Sequence, residues 1–210
     1  MAEVAQASAV ILAGGRSSRM GRPKAMLDFE GVPLIERILA ELRKSFAEIV
    51  VVAAPQSADA VRFDLAGVKI IRDETAFGGP LDALAHGLES VSAADENGAA
   101  FACSCDLPML RSAVAALLVR MLADYDAVIP QVGGRLQPLH AVYHKRAVAA
   151  ATRALAARGE SRLAAIADAV RTRRVGEEEL REIDPELRSF FNVNTAADYA
   201  AALRLVRGER

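Results

Sequence analysis

Between positions 11 and 24 the chain reads ILAGGRSSRMGRPK, an apolar run that breaks into two glycines and then gathers cations. Phosphates are held by backbone N–H groups, by glycines that let the main chain approach, and by cationic side chains. The stretch from Gly14 to Lys24 supplies all three. It is not a P-loop, because Pro23 stands between Gly21 and Lys24 where that motif needs Gly-Lys-Ser/Thr at the head of a helix. It also lacks the G-x-G-x-x-G spacing of a dinucleotide fingerprint. A long open loop of this kind suits a triphosphate.

A second chemical signal stands far downstream. Asp106 closes the apolar run GAAFACSCD and is followed by Leu107-Pro108. A carboxylate at a strand end faces the ligand crevice of an α/β fold, and Mg²⁺ takes one or two carboxylates together with phosphate oxygens and water. The competing role for Asp106 is to cap the helix or turn that follows. Asn192 and Asn194 precede the last helix, where Asn is also a turn former. Cys103 and Cys105, the only cysteines, lie two apart in an extended segment, too poorly placed to pair. Without a matching Cys/His cluster they read as small buried core residues. None of the three histidines, His86, His140 and His144, belongs to a motif, and Gln137 and His140 fall on opposite faces or at different depths of one strand.

The elements that must position these residues alternate in type. Strands are expected at 8–13, 48–54, 68–73, 98–106, 125–130 and 135–144, and helices at 33–46, 80–91, 112–124 and 145–159. Pro33 opens the first helix, and Gly159 closes the fourth. Thr195 and Asp198 form a capping-box pattern for a final helix ending near Val206. The charged stretch 171–188 reads as a solvated surface segment. Such alternation predicts an α/β fold: a Rossmann-like, three-layer arrangement with a mostly parallel central sheet and helices on both faces. No repeat or linker divides the chain, so residues 1–210 read as one domain.

Composition narrows the function. Of 210 residues, 52% are apolar and 25% charged, with a formal net charge of −1. That balance fits a globular protein and speaks against a nucleic-acid binder. No apolar run reaches the roughly 20 residues of a membrane span, and MAEVAQAS has no basic, apolar leader pattern, so a cytoplasmic protein is expected.

The full pattern resembles the MobA-like nucleotidyltransferases, and most closely the molybdenum cofactor guanylyltransferases. The resemblance runs through LAGGRSSRMGRPK (12–24), GVPLIERIL (31–39), IRDETAFGGPL (71–81), CDLP (105–108), QPLHAVY (137–143) and FFNVNTAADY (190–199). It implies that the N-terminal part binds GTP and the C-terminal part the acceptor, molybdopterin. Nucleotide contacts would fall on Leu12, Ala13, Gly14 and Gly15, with backbone groups of the first three at the guanine and ribose end, and on Asp73. Lys24, assisted by Arg19, would neutralise the phosphates, Asp106 would hold Mg²⁺, and Asn192 and Asn194 would shape the acceptor or nucleotide pocket. It also implies transient contact with other cofactor-biosynthesis proteins or the recipient apoenzyme.

Two departures from the family pattern stand out: Asp82-Ala83 follow GGPL, and Ala53 replaces an Asn found in some relatives. The alternatives are a cytidylyltransferase or other nucleotidyltransferase of the same superfamily, or a non-catalytic nucleotide-binding or cofactor-delivery protein.

Overall fold

The computed structural model describes residues 7–13, 24–53, 67–72, 79–92 and 98–208. In chain order the strands are β1 (Ser8–Leu12), β2 (Asp28–Phe29), β3 (Val32–Pro33), β4 (Ile49–Ala53), β5 (Lys69–Arg72), β6 (Ala99–Ser104), β7 (Ala127–Val132), β8 (Arg135–Leu136), β9 (His140–His144) and β10 (Thr172–Val175). The helices are α1 (Leu34–Leu42), α2 (Pro80–Ser90), α3 (Ser112–Arg120), α4 (Lys145–Ala157), α5 (Ile166–Ala169), α6 (Glu177–Arg181) and α7 (Ala196–Arg207).

One sheet runs in the order β10-β7-β9-β6-β1-β4-β5, with β8 paired to β7; β2 and β3 form a separate two-stranded hairpin. The pairs β6–β1, β1–β4, β4–β5 and β7–β10 are parallel. Among the described strands, β9, lodged between β6 and β7, runs against both of those neighbours. The expected mostly parallel sheet with helices on both faces is therefore present.

The period-two pattern of β1 explains the layering. Ala9 and Ile11 point into one core with Ile35, Ile38, Leu39 and Phe101. Val10 and Leu12 point into the other with Leu81, Leu84, Leu88 and Tyr143. All five β1 residues are buried, as both-face coverage requires. Gly87 lets α2 approach closely: a Cβ there would stand 2.4 Å from Val10 Cγ1 and 3.1 Å from Val52 Cγ2.

Strand order also fixes where a ligand can sit. From β1 the chain builds outward through β4 and β5, then returns to place β6 on the other side of β1. That reversal opens a crevice at the carboxyl ends of β1 and β6, where Leu12 pairs in register with Ser104.

Two expectations change. The segment 135–144 is not one strand: Pro138, which has no N–H to donate, falls in a break between β8 and β9, where Gln137 N–H bonds Pro130 O (2.8 Å) and His140 N–H bonds Gln137 O (3.1 Å). The stretch 171–188 is more than a solvated surface. Its β10 extends the sheet along β7, and Val175, Leu180, Asp184 and Leu187 are buried beneath the charged exterior. The sparse apolar positions in that stretch obscured this. Cys103 and Cys105 are both free and buried, as expected.

A third, smaller core ties the C-terminus to the start of the chain. Phe29, Leu34, Met109, Val193 and Ala202 cluster there, with Tyr199 packed alongside. The Tyr199 ring meets Phe29 edge-on at 5.9 Å, and its hydroxyl donates to Asp28 O. Helix α7 thus braces the hairpin that follows Lys24.

Candidate active site

Three residues far apart in sequence meet at the end of β6. Lys24 Nζ donates to Asp106 Oδ2 at 3.0 Å and to Asn194 Oδ1 at 2.7 Å, across 82 and 170 positions. The Lys24 and Asp106 side chains keep 26% and 14% of their surface exposed, enough to remain open to a ligand.

Each member is held from its own side. Lys24 begins a single 3-10 turn, Lys24–Met26, anchored by buried Ala25. Its carbonyl accepts from Leu27 N–H at 3.1 Å. Asp106 follows β6 by two residues, and its carbonyl accepts the Val193 N–H at 2.9 Å. Arg37, whose guanidinium lies over the Phe29 ring at 5.3 Å, donates to Pro108 O at 2.7 Å and fixes the turn beyond Asp106. Asn194 is set by the capping box of α7: Thr195 Oγ1 accepts from Asp198 N–H at 3.1 Å, while Asp198 Oδ2 accepts from Thr195 N–H at 2.8 Å and Asn194 N–H at 3.0 Å. These bonds, led by that from Asn194 N–H, hold the Asp198 carboxyl below its usual range, and Lys24 adds to the shift.

Leu12 and Ala13 lie beside this cluster. Cys105 N–H donates to Leu12 O at 3.3 Å, and Ala13 N–H donates to Val52 O at 2.9 Å. Those two groups are engaged in tying β1 to its neighbours, at the edge where the crevice opens. Asn192 is half-buried, two residues before Asn194. Gly14, Gly15, Arg19 and Asp73 lie outside the described residues. Gly79, whose φ of +100° suits glycine, leads into Pro80 at the start of α2.

One polar contact escaped the sequence reading. Ser104 Oγ donates to Asp106 Oδ1 at 2.5 Å. The available signal was alternation: positions 104 and 106 share a side, while Cys105 between them turns into the core. Burial first, then Asp106, pushes the Cys105 thiol up to about 12, so it stays protonated near neutrality. His140 offers no acid–base chemistry either. It is wholly buried, with its ring 4.3 Å from Phe190 and edge-on to Phe101 at 5.3 Å.

The donors at this site are oxygens plus one ammonium. Among the described residues no group of three or more His, Cys, Asp or Glu side chains converges to hold a metal ion. A zinc-like cage is thus not formed by them, whereas one carboxylate at an open crevice suits a cation that completes its shell with water and substrate phosphates.

A doubly wound sheet with a lysine and a carboxylate at its switch point is the framework of a nucleotide-handling transferase. The chain belongs to the MobA-like NTP transferase family, whose domain profile matches residues 9–175. It is 34% identical over 209 residues to a probable molybdenum cofactor guanylyltransferase of Pelotomaculum thermopropionicum, covering 98% of this chain and 96% of that protein. It is 32% identical over 203 residues to the molybdenum cofactor guanylyltransferase of Desulfosudis oleivorans, covering 96% of each.

Among solved structures, molybdopterin-guanine dinucleotide biosynthesis protein A from Archaeoglobus fulgidus shares the fold with a TM-score of 0.80 at 24% identity, over 96% of this chain and 99% of that one. The 2-C-methyl-D-erythritol 4-phosphate cytidylyltransferase of Thermus thermophilus shares it with a TM-score of 0.69 at 19% identity, over 95% and 98%.

Proposed function

We propose that this protein transfers GMP from GTP to the terminal phosphate of molybdopterin, releasing pyrophosphate and leaving the guanine dinucleotide form of the cofactor. The observation that carries the reading is the meeting of Lys24, Asp106 and Asn194 at the switch point. The names of the relatives that match nearly the whole chain support guanylyl over cytidylyl transfer.

In the reaction a terminal phosphate oxygen of the acceptor bonds to the α-phosphorus of GTP, and the bond from that phosphorus to the bridging oxygen breaks. The attacking oxygen is already anionic, so no general base is required, and the buried His140 is not called on as one. Lys24 stabilises charge on the phosphates, assisted by Arg19, and Gly14 and Gly15 bring backbone N–H groups toward them. Leu12, Ala13 and Asp73 contribute to the nucleotide side. Asn192 and Asn194 shape the side where the acceptor enters. Asp106 is the residue that would hold Mg²⁺. When bound, Mg²⁺ draws off charge that develops on the α-phosphate and the leaving pyrophosphate.

The chain acts as one domain, nucleotide-binding in its N-terminal part and acceptor-binding in its C-terminal part. No helix among the described residues is long and apolar enough to cross a membrane. A cytoplasmic enzyme with transient contacts to cofactor-biosynthesis proteins or the recipient apoenzyme fits this reading.

The test is a reconstituted reaction of molybdopterin, Mg²⁺ and either GTP or CTP, followed by pyrophosphate release. GTP-dependent release supports the proposal. A preference for CTP overturns the base assignment, and no release with either nucleotide overturns the enzymatic reading.

A further inference from the structure

The Asp106 carboxylate is not free to rotate in its crevice. Its two oxygens have different neighbours: Oδ1 accepts from Ser104 Oγ at 2.5 Å, while Oδ2 faces Lys24 Nζ at 3.0 Å. Ser104 is the last residue of β6, and its own N–H is bonded to Leu139 O at 3.3 Å, so the hydroxyl projects from a fixed strand end. Its position two residues before Asp106 brings both side chains to the same side, and Cys105 anchors the backbone between them in the core.

We infer that Ser104 is a positioning residue: its hydroxyl donates to Asp106 Oδ1 and fixes the carboxylate rotamer, so that Oδ2, paired with Lys24 here, is the oxygen that exchanges this ammonium for a divalent cation when the triphosphate draws Lys24 to itself. This rests on the proposed nucleotidyl transfer at the same site. Second-sphere donors that orient ligating carboxylates typically change metal affinity by about 10–100-fold when removed. Acting through Asp106, the serine is expected to affect the cation and not the choice of base.

The experiment compares wild type, Ser104→Ala and Ser104→Thr in the full chain. Mn²⁺ binding is followed by the loss of the free-ion electron paramagnetic resonance signal, with α,β-methylene GTP present and, in a parallel arm, α,β-methylene CTP. Thermal melting of each variant is measured alongside.

Ser104→Ala is expected to weaken Mn²⁺ binding by about tenfold or more, at a melting temperature near that of wild type. Ser104→Thr, which keeps the hydroxyl, is expected to restore most of the affinity. Equal Mn²⁺ affinity in all three proteins overturns the inference, as does a Thr variant no better than Ala. Mn²⁺ bound only with the CTP analogue overturns the guanylyl reading, and the serine comparison is then read in that arm. Mn²⁺ bound with neither analogue overturns both.

Discussion

Two polar sites lie on the neighbouring strands β6 and β9 and differ in almost every physical respect. At the end of β6, Asp106 is partly exposed and flanked by Ser104, Lys24 and Asn194, so its charge is matched and accessible. Within β9, His140 pairs in register with Cys103, is 1% exposed, and neither ring nitrogen has a hydrogen-bond partner. The difference comes from position: Asp106 lies two residues past the end of β6, whereas His140 is the first residue of β9 and is paired in the sheet. A polar side chain past the strand end reaches the crevice, whereas one paired in the sheet is enclosed against the rings of Phe101 and Phe190. The first can exchange its partners for a ligand; the second serves packing and must remain neutral to do so.

Removing the charges at the accessible site should produce the largest effect. Asp106→Ala and Lys24→Ala are each expected to lower GMP transfer by about 10²-fold or more, with folding retained in far-ultraviolet circular dichroism. Activity within about threefold of wild type in both variants would separate this cluster from the chemistry, on that same scale.

The buried site should answer to pH in place of activity. Burial holds the His140 imidazole at about 3, against about 6.5 when unfolded, while Asp184 opposes the shift weakly. The unfolded chain therefore binds the extra proton first. Stability from neutral His140 is complete above pH 6.5 and is lost as pH falls from 6.5 toward 3, by about 1.4 kcal/mol per pH unit at most. Urea unfolding of wild type and His140→Phe across that range measures it: the wild-type curve should slope more steeply. Parallel curves would show that His140 is not kept neutral by the fold.

Packing next to the crevice is tested at Gly87. Gly87→Ala should cost about 1–3 kcal/mol through overpacking against Val10 and Val52, seen as a lower melting temperature. Because the clash presses on β1 just before Leu12, nucleotide affinity should fall with it. The smallest effect is expected at Thr195→Ala, about 1 kcal/mol from the lost cap. This loosens Asn194 and sharpens the question of how far the capping box contributes to the crevice.

The contrast also shows what could be read from the residues alone. The alternation of β1, α1, β4 and β6 is strong in sequence because each buries both faces of a strand or one face of a helix. Asp106 could be assigned to the crevice because a carboxylate ending an apolar run has one place to go. The capping box of α7 was equally visible as Thr195 and Asp198. The break at Gln137–Leu139 was harder, since Pro138 is compatible with a strand end. The edge strand β10 was hidden because TRRV exposes its arginines. Alternation puts Ser104 and Asp106 on one side, but their contact also needs a particular side-chain rotamer, which spacing does not specify. The burial of His140 depends on Phe190, 50 positions away, and long-range contacts of that kind leave no local signature.

Asp106 and Lys24 share one crevice, proposed to receive a metal-bound triphosphate. The most direct test of this proposal is an anomalous-difference map from crystals holding Mn²⁺ and a non-cleavable GTP analogue. A peak is expected within about 2.0–2.4 Å of an Asp106 carboxylate oxygen, with Lys24 Nζ on the phosphates. A peak coordinated elsewhere, with the analogue's phosphates away from Lys24, would contradict it.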